Sequence, residues 1–268
     1  MNLYGININN PVEKKSITLV DYPVIYKFYN NQLREVSLYM KDNEVNSFVF
    51  AIKDVVTFEC NIDKSEIFYK FYSKGTEQLL EYWLYHTLMP IYLTISNTYY
   101  FLHACAVRVE EKSILFMANS MGGKSTMTDY FMKQGHTLIS DDKVGCLNEN
   151  NLYKIVPSYP YHRPYRKFED LGYKVDNFEK NKTNLNIIYI LDVNEIYNEV
   201  SLKELSGLEK FSHLISGTEI GLPLFQEERF KFVSDLANKV QMMLVSIPKD
   251  LSRLSESYEE IIKYTKGL

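Results

Sequence analysis

The sequence predicts an α/β protein with a β-rich N-terminal part over residues 1–98 and an α/β core over residues 99–268. Three observations carry this. Short β-branched and aromatic runs crowd the first 72 residues. From Tyr99 the pattern becomes strand, loop, helix, strand around the segment Gly122-Gly123-Lys124-Ser125-Thr126. The chemically active residue types fall where strands end, the edge at which open α/β sheets place ligands.

In the N-terminal part, Ser16–Val20, Val36–Tyr39, Ser47–Ile52, Val55–Cys60 and Glu66–Tyr72 read as strands separated by polar turns. The apolar run EQLLEYWLYHTLMPIYLTI, from Glu77 to Ile95, reads as a buried helix that ends or kinks near Met89, because Pro90 removes a helical hydrogen bond. Glu77, Glu81, His86 and the proline weigh against a membrane span there.

In the core, Cys105–Glu110 and Ser113–Met117 read as paired strands around a polar turn. A glycine-bearing loop leads to a helix over Ser125–Gln134 that Gly135 can cap, and His136–Ser140 follows as a strand. Residues 170–185 read as a solvated connection, and Asn186–Asp192 as a buried strand. A helix over Phe225–Val240, a strand over Met242–Ile247 and a last helix over Leu251–Thr265 complete the count.

Composition narrows the function classes. With 34 acidic against 30 basic residues the formal charge is −4, which argues against a chain built to coat nucleic acid or an anionic membrane. Cys60, Cys105 and Cys146 have no partner at a metal-ligand spacing and read as free thiols, and no signal-peptide pattern opens the chain. These point to a cytoplasmic protein.

The loop carries the chemistry. Ala118 to Ser125, ANSMGGKS, fits the phosphate-binding pattern GxxxxGK[ST] except at its first position, where Ala118 replaces glycine. Gly122 and Gly123 let backbone N–H groups face a phosphate, Lys124 can reach its outer oxygens and Ser125 can ligate Mg²⁺. Asp141 and Asp142 lie 16 and 17 residues after Ser125, a span suited to one helix and one strand returning to the same sheet edge. There they can hold Mg²⁺ and accept a proton from an attacking hydroxyl.

The stretch LHACAVRVEEKSILFMANSMGGKSTMTDYFMKQGHTLISDD, Leu102 to Asp142, resembles the HPr kinase/phosphorylase group and its relatives, which share the nucleotide-binding fold of phosphoenolpyruvate carboxykinase. It carries that group's histidine, strand pair, phosphate loop and Gly-His and Asp-Asp elements at matching spacing. Ser158–Tyr173 is similar to the proline, arginine and aromatic segment of related kinases that modify lasso-peptide precursors. Ala118 and Met121 replace glycines, and no counterpart of the group's glycine-rich signature segment is found. HPr as substrate and dephosphorylating activity are therefore outside what the resemblance implies.

What it does imply is a P-loop core on a mixed sheet, ATP and Mg²⁺ as cofactors, and phosphoryl transfer to a hydroxyl. The acceptor would be a serine of a peptide or small protein, or else a small molecule such as a sugar or amino acid; a non-catalytic nucleotide-binding regulator is the contrasting class. Asn119, Ser120, Met121, Gly122, Gly123, Lys124, Ser125 and Thr126 would hold the nucleotide, and Ser125 and Asp142 the metal. Asp141, Asp142, His103, Lys124 and Arg163 would form the catalytic set, with either aspartate as the base. Arg163 or Arg166 would steady the phosphoryl group, within a locally basic stretch that includes Lys167, Lys174, Lys180 and Lys182. A homo-oligomer is also implied, and neither nucleic acid nor membrane is expected as a partner.

Overall fold

Strands whose side chains alternate between two apolar layers need cover on both faces, and the apolar run NIIYIL of the second half of the chain has no polar face to offer water. The computed structural model meets that need with a mixed α/β arrangement. It describes the chain apart from residues 1, 5, 8, 18–23, 31–33, 41–45, 120, 121, 165, 166, 219–221, 223 and 224. Two compact units are present: Met1–Tyr99 with Phe168–Asp170 and Leu222–Leu224, and Tyr100–Lys167 with Leu171–Gly221 and Phe225–Leu268.

In the first unit, six strands form a sheet in the order Val12–Glu13, Glu66–Phe71, Val56–Asn61, Ser47–Ile52, Arg34–Met40 and Val24–Asn30. All neighbours are antiparallel except the first pair. Phe48, Phe50, Ile52 and Phe58 are fully buried between the strands and the helical segment that follows. Of the expected strand Ser16–Val20, Ser16 and Ile17 are not in a strand and 18–20 lie outside the described residues.

The helix changes register at Met89, where the sequence places an end or kink. Thr76 caps it through Leu79 N–H (3.3 Å), and it runs as α-helix over Glu77–Tyr82, π-helix over Trp83–Leu88 and α-helix over Met89–Ile95. The Met89 N–H reaches Leu84 O, so the register widens just ahead of the proline. Pro90 is the second residue of the α segment that begins at Met89. Trp83 packs near Phe50 and donates to Glu169, which Arg34 also grips with two nitrogens. No helix among the described residues is long and apolar enough to cross a membrane.

In the second unit, the sheet runs Thr137–Ser140, Ala104–Val109, Lys112–Met117, Thr183–Asn194. The long strand Thr183–Asn194 then serves two neighbours. Its start pairs with Leu152–Val156, which continues to Val144–Glu149 and Tyr100–Leu102; from Ile187 onward it pairs with Gln241–Pro248, which continues to Ser201–Glu204. Lys112–Met117, Thr183–Asn194 and Gln241–Pro248 are mutually parallel and the other pairings antiparallel, so the sheet is mixed.

Alternation sorts the side chains. Leu115, Met117, Ile188 and Ile190 face one layer with helices Gly207–Ser216 and Gln226–Lys239, through Leu214, Val233 and Leu236. Phe116, Tyr189 and Val245 face the other, with Lys124–Lys133 and Leu254–Gly267, through Met127, Phe131 and Ile261. Residues 170–185 are tied down more firmly than a solvated connection. Tyr173–Lys174 pairs with Tyr161–His162, and the edge strand's Leu138 bonds through its N–H and C=O to Asn177 and Glu179.

Candidate functional site

Pairing register brings the expected residues to one edge of the second unit's sheet. Ala104 lies beside Met117 and Ala106 beside Ser140, while Met117 lies beside Ile190. His103, which precedes one strand, the loop from Ala118, which follows the next, and Asp141 and Asp142, which follow a third, therefore meet at that edge. His103 is fixed there by its N–H to Gly217 O (2.7 Å).

The loop has the features a phosphate would use. Gly123 stands at φ +86°, a left-handed conformation that a Cβ would strain, and hands the chain to the helix Lys124–Lys133. A Cβ on Gly122 would lie 2.7 Å from Ala118 Cβ and 2.8 Å from Asn119 O. The methyl of Ala118, at the position where the pattern has glycine, is thus accommodated by the glycine facing it. Lys124 is 2% exposed, and its Nζ folds back onto Ala118 O at 3.0 Å. Ser125 is half-buried and Thr126 exposed on the first turn, Asn119 is exposed, and Ser120 and Met121 lie outside the described residues.

The two aspartates are not equivalent. Asp141 is 3% exposed and its carboxylate accepts three hydrogen bonds, from His162 Nδ1 (3.0 Å), Arg163 N–H (2.7 Å) and Cys105 Sγ (3.0 Å). Burial alone would push this carboxyl up; the His162, Cys105 and Arg163 contacts outweigh it and hold the group below its ordinary value. The same burial, next to this anion, pushes the Cys105 thiol up. Asp142 takes a left-handed backbone (φ +69°), and its Oδ1 lies 3.5 Å from His103 Nδ1. Both side chains of that pair keep some solvent access.

The arginine and part of the basic stretch have partners of their own. Arg163 is buried, and its Nη2 donates to Lys167 O (3.0 Å); Arg166 lies outside the described residues. Lys182 pairs with Glu149, which also receives Lys154, and these two hydrogen bonds hold Glu149 low, at about 2. That part of the basic stretch is already neutralised.

A cavity of ≈ 430 Å³ opens beside the start of the loop, walled by Ala118, Asn119, His103, Asp192 and His213 over a floor that includes Met117 and Ile190. Asp192 and His213 were not singled out by the sequence, although the aspartate closing an apolar strand run, NIIYILD, was a readable signal. Asp192 Oδ2 accepts from Tyr197 OH at 2.5 Å. His162 was likewise missed; its Nε2 is buried with no hydrogen-bond partner among the described residues. Cys60, Cys105 and Cys146 are buried and form no disulfide.

No protein-family model and no curated protein matches the chain. Among solved structures, it is similar to the HPr(Ser) kinase/phosphatase from Coxiella burnetii at 12% identity and a TM-score of 0.35, over 62% of this chain and 93% of that one. The relationship is distant, and the chemistry of the site rests on its own geometry.

Proposed function

We propose that the chain is an ATP-dependent kinase that transfers a terminal phosphoryl group to a hydroxyl, such as the serine of a peptide or small protein. One observation carries the reading: Lys124 Nζ rests on the loop carbonyl of Ala118, on the same sheet edge as the His103–Asp142 pair. A lysine ammonium placed at the first residue of such a loop is within reach of phosphate oxygens bound by the loop amides.

In this reading the loop amides and Lys124 bind and orient the phosphates. Ser125 would hold Mg²⁺, which supplies positive charge against the phosphate oxygens. Gly122, which packs against Ala118 and Asn119 with no room for a Cβ, keeps the tight turn of the loop, and the half-buried Ser125 on the first turn of the helix supplies the oxygen ligand. Asp142, steadied by His103, takes the proton from the acceptor hydroxyl. Asp141, saturated by its three donors, holds His162 and Arg163 in place and takes no part in proton transfer.

Purified protein with ATP, Mg²⁺ and serine-containing peptides should yield a product heavier by one phosphate. Lys124→Ala and Asp142→Asn should each abolish it. Retained transfer in both variants would sink the assignment.

A further inference from the structure

The cavity beside the loop lies on a definite side of the chemistry. Lys124 Nζ, the charge that would meet the transferring phosphoryl group, sits at Ala118, and Ala118 is also a wall of the cavity. The helix that would receive the inner phosphates at its N-terminus packs on the sheet layer of Phe116 and Tyr189. The cavity is lined by Met117 and Ile190 of the opposite layer and by Ala118 and Leu191 of the helix's own layer, so it sits at the sheet edge itself. The cavity therefore adjoins the first residue of the loop, where Lys124 Nζ would meet the terminal phosphoryl group. Its volume is in the range of small-ligand sites.

Its polar groups say what would fit. Asp192 follows Ile190 by two along the strand, so it shares the cavity face, and Tyr197 OH already occupies its Oδ2. His213 enters from the helix Gly207–Ser216, and His103 joins from the strand side. A carboxylate beside a site that must also receive phosphate repels an anionic acceptor and rewards one that donates hydrogen bonds or carries positive charge.

We propose that this cavity is the acceptor pocket, and that Asp192 selects a hydroxyl flanked by a cationic or hydrogen-bond-donating group, as in an amino alcohol, over an anionic hydroxy acid. The inference rests on the phosphoryl-transfer reading and names the acceptor class of that same site. The acceptor oxygen forms the new bond to the terminal phosphorus. The bond from that phosphorus to the bridging oxygen breaks with its electron pair leaving on ADP, and the hydroxyl proton passes to Asp142.

The test uses L-serinamide and D-glycerate, two hydroxyl compounds of similar size and opposite charge, and measures ATP affinity separately with a fluorescent ATP analogue. The wild type should phosphorylate serinamide at least about tenfold better than glycerate. Asp192→Asn should raise the KM for serinamide by about tenfold and erase the preference, with ATP affinity unchanged. His213→Gln, on the facing helix, should raise the same KM and guards against misfolding of the first variant. Equal use of both acceptors overturns the inference, as does an unaltered KM in both variants. So does a loss of ATP affinity in Asp192→Asn as large as in Lys124→Ala, which would move Asp192 to the nucleotide. A wild type that binds ATP and phosphorylates neither compound overturns the acceptor class alone; one that does not bind ATP overturns the kinase reading beneath it.

Discussion

Adjacent aspartates at the end of one strand sit in different surroundings, and the proposed function gives them different roles. Asp141 is buried under three donors, so removing its charge leaves His162, Arg163 N–H and Cys105 with a poorer acceptor. Asp141→Asn should cost about 2–4 kcal/mol in urea unfolding. Asp142→Asn should unfold at nearly the wild-type midpoint while losing phosphoryl transfer. The acid dependence has a defined sign. Because the folded-state carboxyl of Asp141 is held below its ordinary 3.8, its contribution to stability is complete at pH well above 3.8 and is lost as pH falls through the depressed value. The gap in stability between wild type and Asp141→Asn should therefore narrow as pH drops below 3.8, and a gap that stays constant would contradict the assignment. Gly122→Ala tests the loop at the same scale. Its Cβ has backbone and Cβ neighbours under 3 Å, so the loop must shift, and ATP affinity should fall by at least about tenfold, read by titration with the fluorescent analogue.

Legibility varied among the elements for identifiable reasons. Ser47–Ile52 was read to the residue because β-branched and aromatic side chains alternate between clear turns. The helix after the loop was placed within a residue or so by Gly135, which stands at φ +94°. The hairpin of Val144–Glu149 and Leu152–Val156 was missed, since Asn148, Glu149 and Lys154 make it look like a polar loop although its other face is core. The helix Gly207–Ser216 was also missed, yet its start was written plainly: Ser206 and Glu209 form a reciprocal capping box. That cap matters because the helix delivers His213 and Gly217 to the cavity. Ser206→Ala should lower stability by about 1 kcal/mol in urea unfolding, with the loss appearing as well in a weakened KM for the acceptor. Pro90 marked the place of the register change near Met89, but the widened π turn by which the helix continues was not visible in residue types.

For the molecule as a whole, the site was legible in its parts and illegible in its assembly. Local spacing marked the loop and the acidic pair as candidates, whereas a third acid, Asp192, depended on which strand lies beside the loop strand. That neighbour is 70 residues or so further along the chain and is set by parallel pairing of buried strands, a long-range choice with no local mark. The same assembly makes a prediction about the folded state. Since the nucleotide would contact the loop only after sheet, helix and returning strands have formed, it binds the native chain and not the unfolded one. Mass action then adds about 2.7 kcal/mol to stability at a ligand concentration a hundredfold above Kd. ATP with Mg²⁺ should raise the thermal midpoint of the wild type and of Asp192→Asn alike, and leave Lys124→Ala where it was. A midpoint that rises equally in Lys124→Ala would mean that the nucleotide binds elsewhere on the chain.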